Sequence, residues 1–551
     1  MLPIITRYHL ITAFILLATS STLMAQIAQT AEQWQEDLDF IHQTIHQNYP
    51  FLFKKTTPED FDEKVKALSR AIPSLEDHEV ITGFARIISS FEYGHTSLRL
   101  GGKAGFGMLP VNLYHFNDGL YVEGVHEKFA AALGGKVTHI AGMPIEEVLA
   151  KVRPVIPAEN DQYTKGYGIS YALMPKVLHA QGVTPKLQES IVFTVEQDGK
   201  SSEHPIAMLP EAKRPTRYGF TAQQDGWLTM RSQDTTPFYL KHLDKRYYFE
   251  YLSEQKTLYV RQSSVFHDES ETIQEFYARV FDFVDNNDVE KMVLDVRLNG
   301  GGNNFNNKEV ITGIIRSEKI NQVGNLYVIL GRRTFSACQN LVNELHNYTN
   351  AIFVGEPTAE NINFYGDAHN VQLPNSQINL RLSWAWWQDK AQWQNDDWLA
   401  PQLAVSISAE DYQKNQDPIL ERALNFDTEN FILDPMAYIS ELFSSGQMEK
   451  LQREVARLVN DPDYSFFPFE RRFDQAGHQL LKGGQVMEAQ MVFGMNAQLF
   501  PESATAWHSL ARAMLKSGQT DKAKALLQKV VQMAPEGEAG QAAKATLMEM
   551  E

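Results

Sequence analysis

The chain is nearly free of cysteine, with Cys338 alone among 551 residues. One thiol permits no intrachain disulfide, so stability has to come from packed cores, and Cys338 itself reads as a small buried hydrophobe. A basic tract is also missing. Lys and Arg number 50 against 68 Asp and Glu, a formal net charge of −18 at pH 7. Phosphate recognition needs a concentrated positive surface, which excludes nucleic acid as a partner, and the acidic excess serves solubility. No apolar run reaches the roughly 20 residues that span a bilayer. Several reactive signatures are absent as well. His78-Glu79 and His126-Glu127 lack the second histidine of a zinc-protease helix, no Gly-x-Ser-x-Gly elbow occurs, and no glycine-rich loop ends in Gly-Lys-Ser/Thr. Neither a metal nor a cofactor is expected.

What is present begins with an export pattern. Arg7, the apolar stretch Leu10 to Leu17 and small residues leading to Ala25-Gln26 read as a signal peptide over residues 1–25. A periplasmic or secreted protein is expected, with no stable membrane span once that peptide is cleaved.

The rest predicts a multidomain α/β protein. Residues 26–100 form an N-terminal helical segment, with Trp34, Leu38, Ile41 and Ile45 at helical spacing. Residues 101–210 read as a β-rich, degenerate PDZ-like domain, from the order of a strand at Lys136 to Ile140, a turn, and a proline-led helix at Pro144. Over 211–428 short apolar runs, among them Met292 to Val296 and Leu326 to Leu330, alternate with helical spacing. That pattern predicts a layered core with strands covered on both faces. Residues 429–551 carry a 34-residue repeat: Phe473, Gly477, Ala489 and Phe493 recur as Trp507, Ala511, Ala523 and Leu527. This is tetratricopeptide spacing, giving C-terminal α-helical repeats that serve either as a docking surface for a protein partner or as a cap on the core.

Two stretches carry the chemistry. Leu294 to Gly302 runs a buried strand into three glycines, which lets a backbone turn with its amides uncovered for an oxyanion. Gly331 to Gln339 delivers Ser336 to a helix start near Ala337, where amides and the helix dipole favour negative charge. Taken alone, Ser336 reads first as an ordinary N-cap.

The pair, followed by Val354-Gly355-Glu356-Pro357-Thr358 and preceded by Gly94-His95-Thr96, resembles the C-terminal-processing serine peptidase family, which includes the core of tricorn protease. The resemblance spans about residues 30 to 425 and implies a layered α/β, crotonase-like core. It also implies hydrolysis of protein or peptide substrates through an acyl-enzyme on Ser336, with Gly300, Gly301 and Ala337 as oxyanion donors. Processing peptidases place a lysine about 25 residues after the serine; Asn361 stands there, and asparagine cannot act as a base. The resemblance therefore implies the histidine-based variant, with His95 as general base. For the supporting acid, Glu356 and Asp367 are the candidates, with Asp396 and Asp397 further along. A non-catalytic binder on the same fold and a repeat-based scaffold are the alternative functions.

Overall fold

The computed structural model describes residues 29–210, 212–429 and 431–550; the expected signal peptide lies outside them. Three helices open the described residues, Ala31–Asn48, Pro58–Ala71 and Asp77–Ser89, each started by local chemistry. Thr30 and Gln33 close a capping box, Thr57 caps a helix with proline at its first position, and Glu76 pairs with Glu79. Their apolar stripes bury Trp34, Leu38, Ile41, Phe61, Phe84 and Ile88 in one core with the β-rich region that follows. Asp77–Ser89 is buried along nearly its whole length and ends just before Gly94-His95.

A seven-stranded sheet follows, built on Gly119–His126, Lys136–Ile140, Ser190–Gln197 and Lys200–Ala207. It does not stop at residue 210: Trp227–Thr229 pairs antiparallel with Gly119–His126. Buried Glu123 draws this region together, accepting from Asn112, Thr221, Thr229 and Tyr412.

The central sheet has six strands in the order Tyr247–Leu252, Thr257–Gln262, Lys291–Asp295, Leu326–Leu330, Ile352–Gly355 and Leu403–Ala404. Only the first pair is antiparallel. Alternating side chains enter opposite cores. Leu258, Met292, Leu294 and Val328 meet the helices Ile273–Asn286, Asn307–Arg316 and Ala337–Tyr348. Tyr259, Val293, Tyr327 and Ile329 face Pro418–Asn425. Arg297 is an ion-pair residue, with Nη2 2.9 Å from Asp295 and Nη1 2.9 Å from Asp417. Cys338 is fully buried, and burial pushes its thiol far above the ordinary range, which removes it as a nucleophile.

A hairpin, Phe364–Gln372 with Asn379–Trp387, leaves this sheet and pairs with Ser97–Leu98, just after His95. Among the described residues, seven α-helices from Pro435–Ser444 to Glu538–Glu549 follow. Gly477 lies where a Cβ would be 2.5 Å from the Phe493 ring, so the repeat glycine sets how closely the paired helices approach. The array is tied to the core: Arg472 pairs with Asp396, Arg471 with Asp397, and Arg422 with Asp463. Among the described residues no helix is long and apolar enough to cross a membrane.

Candidate active site

Three loops leave the carboxyl ends of neighbouring parallel strands, where open α/β sheets gather their ligands. Lys291–Asp295 leads into the glycine bend, Leu326–Leu330 into the Ser336 loop, and Ile352–Gly355 into the loop of Thr358 to Asn361. Asn299 joins the first two loops. Its carbonyl accepts from Phe335 N at 3.1 Å, and its side chain accepts from Gly301 N at 2.9 Å. The third loop is joined by Ala359 N, which donates to the Thr334 carbonyl at 3.0 Å.

Ser336 occupies the N-cap position of the Ala337–Tyr348 helix, but its side chain accepts no helix amide. The ordinary capping role is therefore not the one it plays. Its φ of 57° and ψ of −131° place a non-glycine residue in a sparsely populated region, at a cost of about 1–3 kcal/mol. That strained turn directs the hydroxyl away from the helix, and Oγ lies 3.0 Å from Nε2 of His95. The imidazole stacks on Phe335 with centroids 4.6 Å apart and lies near-parallel to Phe364 at 6.0 Å. Burial pushes the His95 pKa down to about 4; Arg381 adds to the fall, while Glu159 and Asp367 oppose it. At neutral pH the ring is an uncharged acceptor.

The acid behind the histidine is Glu360. Its Oε1 lies 3.0 Å from Nδ1 of His95, off the line of the ring N–H, so the contact is electrostatic rather than a formed hydrogen bond. Neither atom has another hydrogen-bond partner among the described residues. Oε2 of the same carboxyl accepts from the backbone N–H of Ser336. One side chain thus addresses both the base and the backbone of the nucleophile.

Two solved structures of CPAF are similar to this chain in fold. A point variant of CPAF matches at a TM-score of 0.51 and 13% identity, covering 73% of this chain and 99% of that one. Mature CPAF matches at 0.50 and 12%, with the same two coverages. The photosystem II D1 C-terminal processing protease overlaps at a TM-score of 0.32 and 12% identity, over 69% of this chain and 94% of that one. In fold, the chain is similar to mature CPAF. Residues 480–547 match the family described as tetratricopeptide repeat, in agreement with the 34-residue period. No curated protein matches the chain.

The two acids singled out from sequence are not the supporting group. Glu356 is committed to Arg332, its Oε2 accepting from Nε at 2.8 Å in a buried pair whose guanidinium also donates to the His115 carbonyl. Asp367 lies on the exposed hairpin, where it accepts from Trp387 Nε1 at 3.1 Å. Asp396 and Asp397 are held by the helical repeats.

Of the oxyanion donors, Gly300 and Ala337 have amides with no partner among the described residues, whereas the Gly301 amide is taken by Asn299. Gly301 serves instead by lacking a side chain. At its φ of +95°, a Cβ would lie 2.6 Å from Ser336 Cβ and 2.9 Å from Ala337 N. Gly301→Ala is expected to push the two loops apart and lower kcat/KM about 100-fold with the chain still folded, as read by steady-state kinetics beside circular dichroism.

Sequence reading missed a second buried carboxyl. Glu159 accepts from Gly94 N at 2.9 Å and from Asn361 N at 3.0 Å, the residues flanking His95 and Glu360. Burial and the neighbouring Glu360 raise its pKa to about 8, and burial moves Glu360 well upward too. His95, Glu159 and Glu360 each offer a ligand atom within 4.8 Å of the others. Their contacts are with one another, the Ser336 hydroxyl and backbone amides.

Proposed function

We propose that this chain is a serine peptidase that hydrolyses exported proteins or peptides through an acyl-enzyme on Ser336. The observation that carries the reading is the 3.0 Å separation between a strained, non-capping serine hydroxyl and a buried neutral imidazole. Oγ attacks the scissile carbonyl carbon as Nε2 of His95 takes its proton. The tetrahedral oxygen is held by the amides of Gly300 and Ala337, each worth about 3 kcal/mol of barrier. Collapse returns the proton from His95 to the departing amine and leaves the acyl group on Ser336. Water then repeats the steps and frees the acid. Glu360 faces Nδ1, and in its carboxylate form it steadies the imidazolium as that forms. The export pattern at residues 1–25 is the support for substrates outside the cytoplasm.

A fluorophosphonate probe tests the reading. One adduct per chain, mapped to Ser336 by peptide mass spectrometry and lost in Ser336→Ala, is expected. An unlabelled wild-type protein that retains its native circular dichroism would reject catalysis and favour a binding role.

A further inference from the structure

Four arginines, Arg217, Arg246, Arg333 and Arg381, line the cleft of about 950 Å³ in front of Ser336, against a single acid, Asp367. Such a lining runs against a chain whose net charge is −18. The arginines come from four separate segments, so no single basic loop accounts for them.

Their partners make the pattern specific. The arginines that hold the core together are neutralised, Arg297 by Asp295 and Asp417, and Arg332 by Glu356. None of the four cleft arginines has a carboxylate within ion-pair distance among the described residues. Three of them are positioned by groups that leave the charge intact. Arg217 donates to the Asp244 carbonyl at 3.1 Å, and Arg333 donates to the Gly166 carbonyl at 2.6 Å. Arg333 lies 4.3 Å over the Tyr167 ring, and Arg246 lies 5.7 Å from the Phe266 ring. Arg381 stands beside Arg99 and close enough to His95 to disfavour its protonated form. Guanidinium groups fixed by aromatic faces and carbonyls keep their remaining N–H donors for an incoming anion.

We propose that the cleft selects peptides bearing carboxylate groups close to the scissile bond. The inference rests on the peptidase reading and names its substrate class: acidic segments, recognised through Asp or Glu side chains or through a peptide C-terminus. A positive cleft in a negative body also focuses the field, so acidic peptides gain in encounter rate as well as in affinity.

The test uses the full chain and matched internally quenched peptides with Glu, Gln or Lys flanking the cleaved bond, each with a free or an amidated C-terminus. The Glu peptide is expected to exceed the Gln peptide about tenfold in kcat/KM and the Lys peptide by more. The advantage shrinks as salt rises from about 50 to 500 mM. An Arg246→Gln/Arg381→Gln double variant should narrow the Glu-to-Gln ratio. An advantage that follows the free C-terminus supports the proposal and assigns the carboxylate to the chain end. Equal rates for all peptides, or preference for Lys, with turnover still dependent on Ser336, overturns it while leaving the peptidase reading in place. Absence of any turnover counts against that reading instead, and fluorescence anisotropy then decides the cleft. At least tenfold tighter binding of a labelled Glu peptide than of its Lys counterpart supports the proposal, and equal binding overturns it.

Discussion

Replacing Glu360 by glutamine is expected to lower kcat by about 10³- to 10⁴-fold while KM changes little. The carboxyl is fully buried and does not line the cleft, so substrate does not touch it. What it controls is the tautomer of His95. A carboxylate 3.0 Å from Nδ1 keeps the proton there and leaves Nε2 as the acceptor for the Ser336 hydroxyl. A carboxamide that turns its NH₂ toward Nδ1 favours the opposite tautomer, and an orienting acid changed in this way typically costs about 10⁴ in rate. The same substitution weakens the hold on the Ser336 amide, so a shift in labelling rate should accompany the fall in kcat. Glu356→Gln makes the contrast. It leaves Arg332 buried without its anion, so stability should drop by about 3–5 kcal/mol while the folded fraction keeps its turnover. If Glu360→Gln retains more than a tenth of wild-type kcat, the assignment of this acid is wrong.

How much of this was legible in the sequence follows from how local each feature is. The repeat period of the C-terminal helices was readable because each unit is one helix pair, and the small residues that let the pair close recur every 34 positions. Ser336 and the glycine bend were readable because strand, turn and helix lie within a dozen residues. Glu360 was not, although it directly precedes Asn361, the position reached by counting to the lysine of the processing peptidases. Its role depends on a loop that folds back over 24 residues to meet the Ser336 amide, and no spacing rule encodes that return. Glu159 is further from any local pattern. It is 65 residues from Gly94 and 202 from Asn361, so only the docking of the β-rich half against the core reveals it. Which of the three glycines keeps a free amide was equally hidden, because the side chain of Asn299 decides it.

The same buried cluster predicts how stability responds to pH. Glu159 keeps its proton in the folded chain up to about pH 8, whereas an unfolded glutamate releases it near 4.5. Between those values folding takes up a proton, so stability falls as pH rises and the loss is complete above pH 8. His95 acts in the opposite sense. Unfolded, it is charged below about 6.5; folded, it stays neutral down to about 4, so its contribution rises with pH over that interval. The two contributions oppose each other between 4.5 and 6.5. Above 6.5 the Glu159 contribution keeps falling, and a full proton over 1.5 pH units amounts to about 2 kcal/mol. Glu159→Gln removes that titration, so the wild-type minus variant difference in unfolding free energy should fall by about 2 kcal/mol between pH 6.5 and 8. Urea denaturation of both proteins across that range measures it, with titrating groups remote from Glu159 cancelling in the difference. Parallel curves for the two proteins would mean that Glu159 is ionised at neutral pH. Glu360 would then face a second negative charge, not a protonated neighbour, and could not serve His95 as the orienting carboxylate in the way described.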